Sequence, residues 1–202
     1  MEFLQQVDVD ENNIEEIASW LDAAGPEARL AATRTLSRSA QRKLFQKAES
    51  VAPISLEDLV PSVKPARQEV IHHGWNTLPL PGSQRRFQKR FCRPEGDSSR
   101  LFGYNEAPSR RLIGPGYFVT SSTEGKVSWE ERGGLVVDYF QVPDSDVVDG
   151  WPKVKPNSRG LQFFVYHRTR DFLRKISAHV SVGAAYKNGK SLDHYFMLCR
   201  ED

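Results

Sequence analysis

The sequence predicts an α+β protein: an N-terminal helical segment, then a mostly antiparallel, strongly bent β-sheet or small β-barrel. Three observations carry this. The hydrophobic period changes from 3.6 to 2 near residues 61–68. Past that point, seven or eight extended stretches follow with hairpin-length connections. No helix-length segments separate them, which disfavours a parallel sheet. And Asn188-Gly189, the dipeptide of a type I′ turn, sits between two alternating stretches near the end.

The elements are read in chain order. Asn12 can cap a helix with Glu15 in capping-box position. Ile14, Ile17, Leu21 and Ala24 then share one helical face. Gly25 stops that helix, and Pro26 suits the first turn of the next. Ala28, Leu30, Ala31 and Leu36 continue a weaker stripe. Ser37 or Ser39 caps a third helix, with Ala40, Leu44, Ala48 and Val51 on its apolar side. Its other side holds Arg38, Arg42, Lys43 and Lys47 and reads as solvated. Ser55 caps a short turn over Leu56–Leu59. Such short helices bury little alone and are expected to pack on the rest. The organisation is therefore a helical segment over 1–60, a Pro-bearing linker over 61–68, and a β domain over 69–202.

In the β domain, Val70–Trp75 and Arg86–Cys92 read as strands. Tyr117–Ser121 and Lys126–Glu131 read as a hairpin about Ser-Thr-Glu-Gly. Leu135–Val142 follows Gly133-Gly134. Residues 143–160, rich in Pro, Gly and Asp, form the longest structureless stretch, of the kind that makes binding loops or lids. Leu161–His167 reads as a strand, Asp171–Lys175 as one helical turn, and Ile176–Tyr186 and Leu192–Cys199 as the closing strands. In the stretch near residue 180, Ser177, His179, Ser181, Gly183 and Ala185 share a small polar face, which allows close approach by a helix or a ligand.

Composition excludes much. The 202 residues suffice for one ordinary core, and no run of about 18 apolar residues is present. The acidic, polar opening MEFLQQVDVDENN shows no secretory or transit pattern. Two cysteines make no disulfide framework, and reduced thiols in the cytoplasm are expected. The net charge of +2 conceals an asymmetry. Residues 1–60 hold six basic and eleven acidic side chains, while residues 61–120 hold ten and four. Either the two segments pack together or solvate their own surfaces, or the basic middle binds an anion.

Several groups qualify as a site. Residues 84–93 interleave five cations with Phe87 and Phe91, the ingredients of a single-strand nucleic-acid binder. Parity argues against that use: Arg86, Gln88 and Arg90 share one face, while Phe87, Lys89 and Phe91 share the other, so the rings turn to the core. Leu135–Val142 is apolar on both faces, which leaves Asp138 in need of a cationic partner. His179 is the candidate functional imidazole, with a core histidine as the plainer reading. Trp151, between Gly150 and Pro152, is the tryptophan placed to touch a ligand. No His-x-His, HExxH or CxxC spacing occurs, so no metal is expected, and no cofactor motif is present.

The expected function is non-catalytic: binding of a small, anionic molecule in the β domain, or docking of a protein partner. Arg86, Arg90, Asp138, Trp151 and His179 are the ligand-binding candidates. An enzyme with a dispersed His/Asp/Arg site is the alternative, requiring His179, Asp138 and an arginine to converge. Nucleic-acid binding through 84–93 is the further alternative, and no membrane partner is expected.

Overall fold

The computed structural model describes residues 13–79 and 82–201. Helix α1 (Ile14–Ala23) begins at Asn13, whose side chain accepts from the Glu15 amide. The expected cap Asn12 lies outside the described residues. Helix α2 (Pro26–Thr35) starts on its proline. It buries Arg29, Ala32 and Thr33, while Ala28 and Ala31 of the expected stripe are exposed. The buried Arg29 explains the rotation. Its Nε donates to Leu21 O at 2.8 Å and its guanidinium to Ala24 O, satisfying carbonyls that the end of α1 leaves open. Helix α3 (Arg38–Lys47) is capped by Ser37, and α4 (Leu56–Leu59) by a Ser55–Asp58 capping box.

The β domain is a closed antiparallel barrel in which every strand pairs with its sequence neighbours and the last pairs with the first. Its strands are β1 (Val70–Asn76), β2 (Arg86–Cys92), β3 (Arg100–Glu106), β4 (Phe118–Ser122), β5 (Leu135–Asp138), β6 (Thr169–Lys175), β7 (Val180–Lys187) and β8 (Lys190–Arg200). Closure removes every exposed edge. Short helices α5 (Arg110–Ile113), α6 (Val127–Glu130) and α7 (Gln162–Val165) lie between strands.

Period-2 alternation splits the core in three. The interior is filled by side chains including Val70, Phe91, Leu101, Phe118, Leu135, Leu173, Phe196 and Leu198. Helix α4 plugs one end. Leu59 and Val60 join the interior cluster, Leu59 O bonds His72 Nε2 at 2.9 Å, and Asp58 O accepts from Arg200. Outside, Val180, Val182, Ala184, Met197 and Cys199 of β7 and β8 pack against Ile14, Ile17, Leu21, Leu44 and Phe45 of the helices. Each such large side chain contributes about 1.5–3 kcal/mol on burial. Arg174 rivets this interface by donating to Phe45 O and Glu131 O at 2.9 and 2.7 Å. The third cluster places Cys92, Phe102 and Val119 beneath Val147, Val148 and Trp151 of the long loop.

Several segments depart from the sequence reading. Residues 127–130 form a helical turn instead of a strand. Ser122 pairs directly with Leu135, which leaves the segment no strand partner, and local bonds to Lys126 O close the turn. Leu161–His167 contains α7: Gln162 is the inward residue, accepting from the Gly116 amide at 2.9 Å, while Leu161, Phe163 and Phe164 are exposed. A short apolar run has no periodicity that separates the two states. The expected helical turn at 171–175 is strand β6, paired on both sides. Residues 176–179 are the turn between β6 and β7, so His179 is not in a strand. Strand β5 ends at Asp138, whose Oδ1 accepts from Phe140 N. Strand β3 was hidden by its Gly103 and Asn105. A Cβ at Gly103 would lie 2.4 Å from the Phe118 ring, so this glycine makes room for an aromatic neighbour.

The charge asymmetry resolves locally. The basic middle pairs mostly with acids of its own and later segments: Arg90 with Glu69, Arg100 with Asp97 and Asp144, Arg110 with Glu106.

Candidate functional site

The interior face of β2 carries Phe87, Lys89 and Phe91, as parity requires. Lys89 is therefore a cation pointing into the barrel, 1% exposed. Three acceptors surround its ammonium: Asp171 Oδ2 on β6 at 3.0 Å, Asn105 Oδ1 on β3 at 3.1 Å, and the Tyr139 hydroxyl just past β5. Four rings enclose the same nitrogen. Those of Phe118 and Tyr139 lie 5.0 Å away, Phe196 5.1 Å and Phe87 5.8 Å, within cation–π reach. Asn105 is held by donation to Gly116 O and to the Tyr139 hydroxyl, both at 3.0 Å.

Burial pulls the Lys89 ammonium below its ordinary range, and the Asp171 carboxylate opposes that pull. Burial beside Asp171 pushes the Tyr139 phenol well up, so it stays protonated. The constellation is a neutral, internally satisfied cluster, as a buried charge requires.

Above it the barrel is open. A cavity of about 470 Å³ occupies the end opposite α4, with Lys89, Asn105, Tyr139 and Asp171 among its lining residues. Its walls are largely apolar: Phe87, Ile113, Tyr166 and Phe196 line it, and Tyr166 stacks on Tyr139 at 5.3 Å. Gly116 permits that stack, since a Cβ there would lie 2.4 Å from the Tyr166 ring. Ala185 of β7, from the small-residue face, also lines the cavity. At the rim stand Arg86, Lys187 and His194. Burial lowers the pKa of His194, and its Nδ1 has no hydrogen-bond partner among the described residues.

A second hollow, about 640 Å³, lies at the other end between residues 48–56 and the start of β5. Its two cations are already engaged, Arg174 with Glu49 and backbone carbonyls, Lys175 with Asp58 at 2.6 Å. Convergent polar groups inside an apolar wall distinguish the barrel mouth.

The expected site residues are dispersed. Of the five, Arg86 alone lines the mouth cavity. Arg90 and Trp151 meet on the outer surface, where Glu69 accepts from Trp151 Nε1 at 2.6 Å and from Arg90 at 3.2 Å. Asp138 also faces outward; it finds its cation in Arg170 at 3.2 Å. His179 sits at the opposite end, its Nδ1 3.2 Å from Arg200. His179 and Asp138 thus belong to opposite ends of the barrel, and their convergence does not occur. The long loop covers the outside of β2, β3 and β4, and none of residues 143–160 lines the mouth cavity.

Sequence reasoning missed Lys89, Asn105, Tyr139 and Asp171. One signal was present: Lys89 lies between two phenylalanines on the face assigned to the core, and a cation there demands a buried partner. Nothing local identified Asp171, 82 residues away.

Among the described residues, no group of three or more His, Cys, Asp or Glu side chains is placed to hold a metal, and no helix is long and apolar enough to cross a membrane. No protein-family model, curated protein or solved structure matches this chain.

Proposed function

We propose that the protein binds a small amphipathic molecule in the barrel mouth, without transforming it. The observation that carries this reading is the cavity of about 470 Å³, aromatic in its walls and open at one end. Its size and lining match those of ordinary ligand sites. The floor constellation satisfies its own hydrogen bonds, and its four residues are each at most 5% exposed. The floor therefore presents rings rather than unpaired charge, which suits an apolar body. An acidic head group fits the rim, beside Arg86 and Lys187, neither of which is in an ion pair among the described residues.

Anilinonaphthalene sulfonate, an aromatic body with an anionic head, is a direct probe. The expected result is saturable fluorescence enhancement that Ala185→Phe abolishes by filling the cavity. Arg86→Ala with Lys187→Ala should weaken binding by roughly three- to tenfold, as exposed charges do. Absence of binding, or binding unchanged in Ala185→Phe, would overturn the reading.

A second reading rests on Lys89 itself. A lysine whose pKa burial lowers, beside a protonated tyrosine and a carboxylate, has the setting of an amine nucleophile. It would condense with a carbonyl ligand, releasing water and leaving an iminium opposite Asp171. Reduction by cyanoborohydride in the presence of an apolar aldehyde would fix a mass increment on Lys89. Labelling confined to surface lysines would exclude this chemistry and leave the binding reading intact.

A further inference from the structure

The mouth of the barrel is ringed by apolar side chains that the core does not use. Leu112 on α5 is 75% exposed and Phe164 on α7 is 72% exposed. Phe163 beside it and Leu192 on the β7–β8 hairpin are also exposed. These protrusions are joined. The Gln162 side chain of α7 accepts from Gly116 N, just after α5, and Lys187 of the hairpin donates to Phe164 O at 2.8 Å. Ile113, Phe164 and Leu192 also line the cavity, so the apolar rim runs into the apolar interior.

The charges around the rim that are in no ion pair among the described residues have one sign. Arg86, Arg111, Arg168 and Lys190 are exposed, Lys187 is half-buried, and none of the five forms an ion pair among the described residues. The acids at this end are already engaged: Glu106 with Arg110, Asp138 with Arg170, Asp171 with Lys89, and Asp193 with Arg38 and Arg42. The rim is thus a set of exposed Phe and Leu side chains interleaved with uncompensated cations.

Against the expectation from sequence of no membrane partner, we infer that the mouth of the barrel docks on an anionic lipid surface, with Leu112, Phe163, Phe164 and Leu192 entering the headgroup region and the five cations facing lipid phosphates and carboxylates. Aromatic and leucine side chains flanked by Lys and Arg are the pattern of interfacial binding. A protein partner is the weaker occupant, because the apolar residues stand on three separate protrusions and form no continuous patch. Docking there would set the open end of the cavity against the bilayer, where apolar molecules are concentrated. The surface is inferred independently of what fills the cavity.

Flotation of the full chain with phosphatidylcholine vesicles, with and without about 30% phosphatidylserine, tests the inference. Binding is expected with phosphatidylserine and is expected to fall steeply between about 0.05 M and about 0.5 M salt. Leu112→Ser with Phe164→Ser should reduce the bound fraction about tenfold. Arg111→Ala with Lys190→Ala should do the same or more while leaving neutral vesicles unaffected. These positions are exposed, and circular dichroism would verify that the variants are folded. Failure of the wild-type chain to float with the anionic vesicles at low salt would overturn the inference. So would undiminished flotation of the Leu112/Phe164 variant, or equal binding to both vesicle types.

Discussion

Lys89 shows how one side chain organises the interior. Its four-ring cage gains cation–π attraction, while its three bonds link β2 to β3, β6 and the end of β5. Lys89→Met would leave the Asp171 carboxylate buried and unpaired. A loss of about 3–5 kcal/mol is expected. Lys89→Met with Asp171→Leu should recover most of it, because the pair's own balance against apolar replacement is near zero. Urea denaturation of the two variants measures both values; an equal loss in each would show that the pair contributes more than its desolvation costs. The cysteines make a second residue-scale prediction. Burial pushes Cys92 up to about 12 and Cys199 up to about 11, and both thiols are at most 2% exposed. A disulfide reagent at pH 8 should find no reactive thiol in the native protein and two after denaturation. Only the direction of Lys89 was legible in advance. Strand parity put Lys89 on the core face, but its partners lie on β3, on β6 and just past β5. Their convergence is a property of barrel closure, which no local pattern encodes.

The elements differ in how openly the sequence declared them. Helices α1 and α3 carry both a period and a cap signal, strand β2 carries a period, and all three lie where the pattern put them. The Asn188-Gly189 turn has φ of 51° and 78°, the left-handed pair that type I′ demands. The failures share a cause. Residues 127–130 and 161–167 are short runs whose state is decided by what remains to pair or pack with them, and β3 hides behind a glycine needed for Phe118. Helix α2 supplies the test at this scale: of its expected stripe Leu36 is buried and Leu30 packs on the core, while Ala28 and Ala31 are exposed and Ala32 is buried. Ala31→Gln should change stability by no more than about 0.5 kcal/mol. Ala32→Gln should cost roughly 1–3 kcal/mol, as an enlarged side chain in a packed site does. Thermal melts of the two variants distinguish the faces; equal effects would mean that the helix packs in the rotation its hydrophobic pattern suggests.

At the scale of the whole molecule, burial of weakly acidic groups fixes how the barrel meets alkali. Cys92, Cys199, Tyr117, Tyr139 and Tyr166 all have pKa values raised, with burial the first cause in each. The unfolded chain releases these protons near the ordinary values of about 9 for thiols and about 10 for phenols. The folded chain holds them, so above pH 9 the native state binds more protons and stability falls as pH rises. The stabilisation is complete below the unfolded values and is lost as pH climbs towards the folded ones, which for Cys199 and Cys92 are about 11 and about 12. Lys89 works in the opposite sense. Its folded pKa is lowered, so the unfolded state binds the extra proton below the ordinary value of 10.5, and rising pH favours the folded state until then. One group opposing several cannot reverse the trend, but it lessens the decline below pH 10.5. The expected curve of unfolding free energy therefore bends downward gently above pH 9 and steeply beyond about 10.5. In Lys89→Met the decline below pH 10.5 should be steeper than in the wild type, because the opposing group is gone. Urea denaturation across this range reads both features, and a wild-type free energy that stays level to pH 11 would contradict the burial of these five groups.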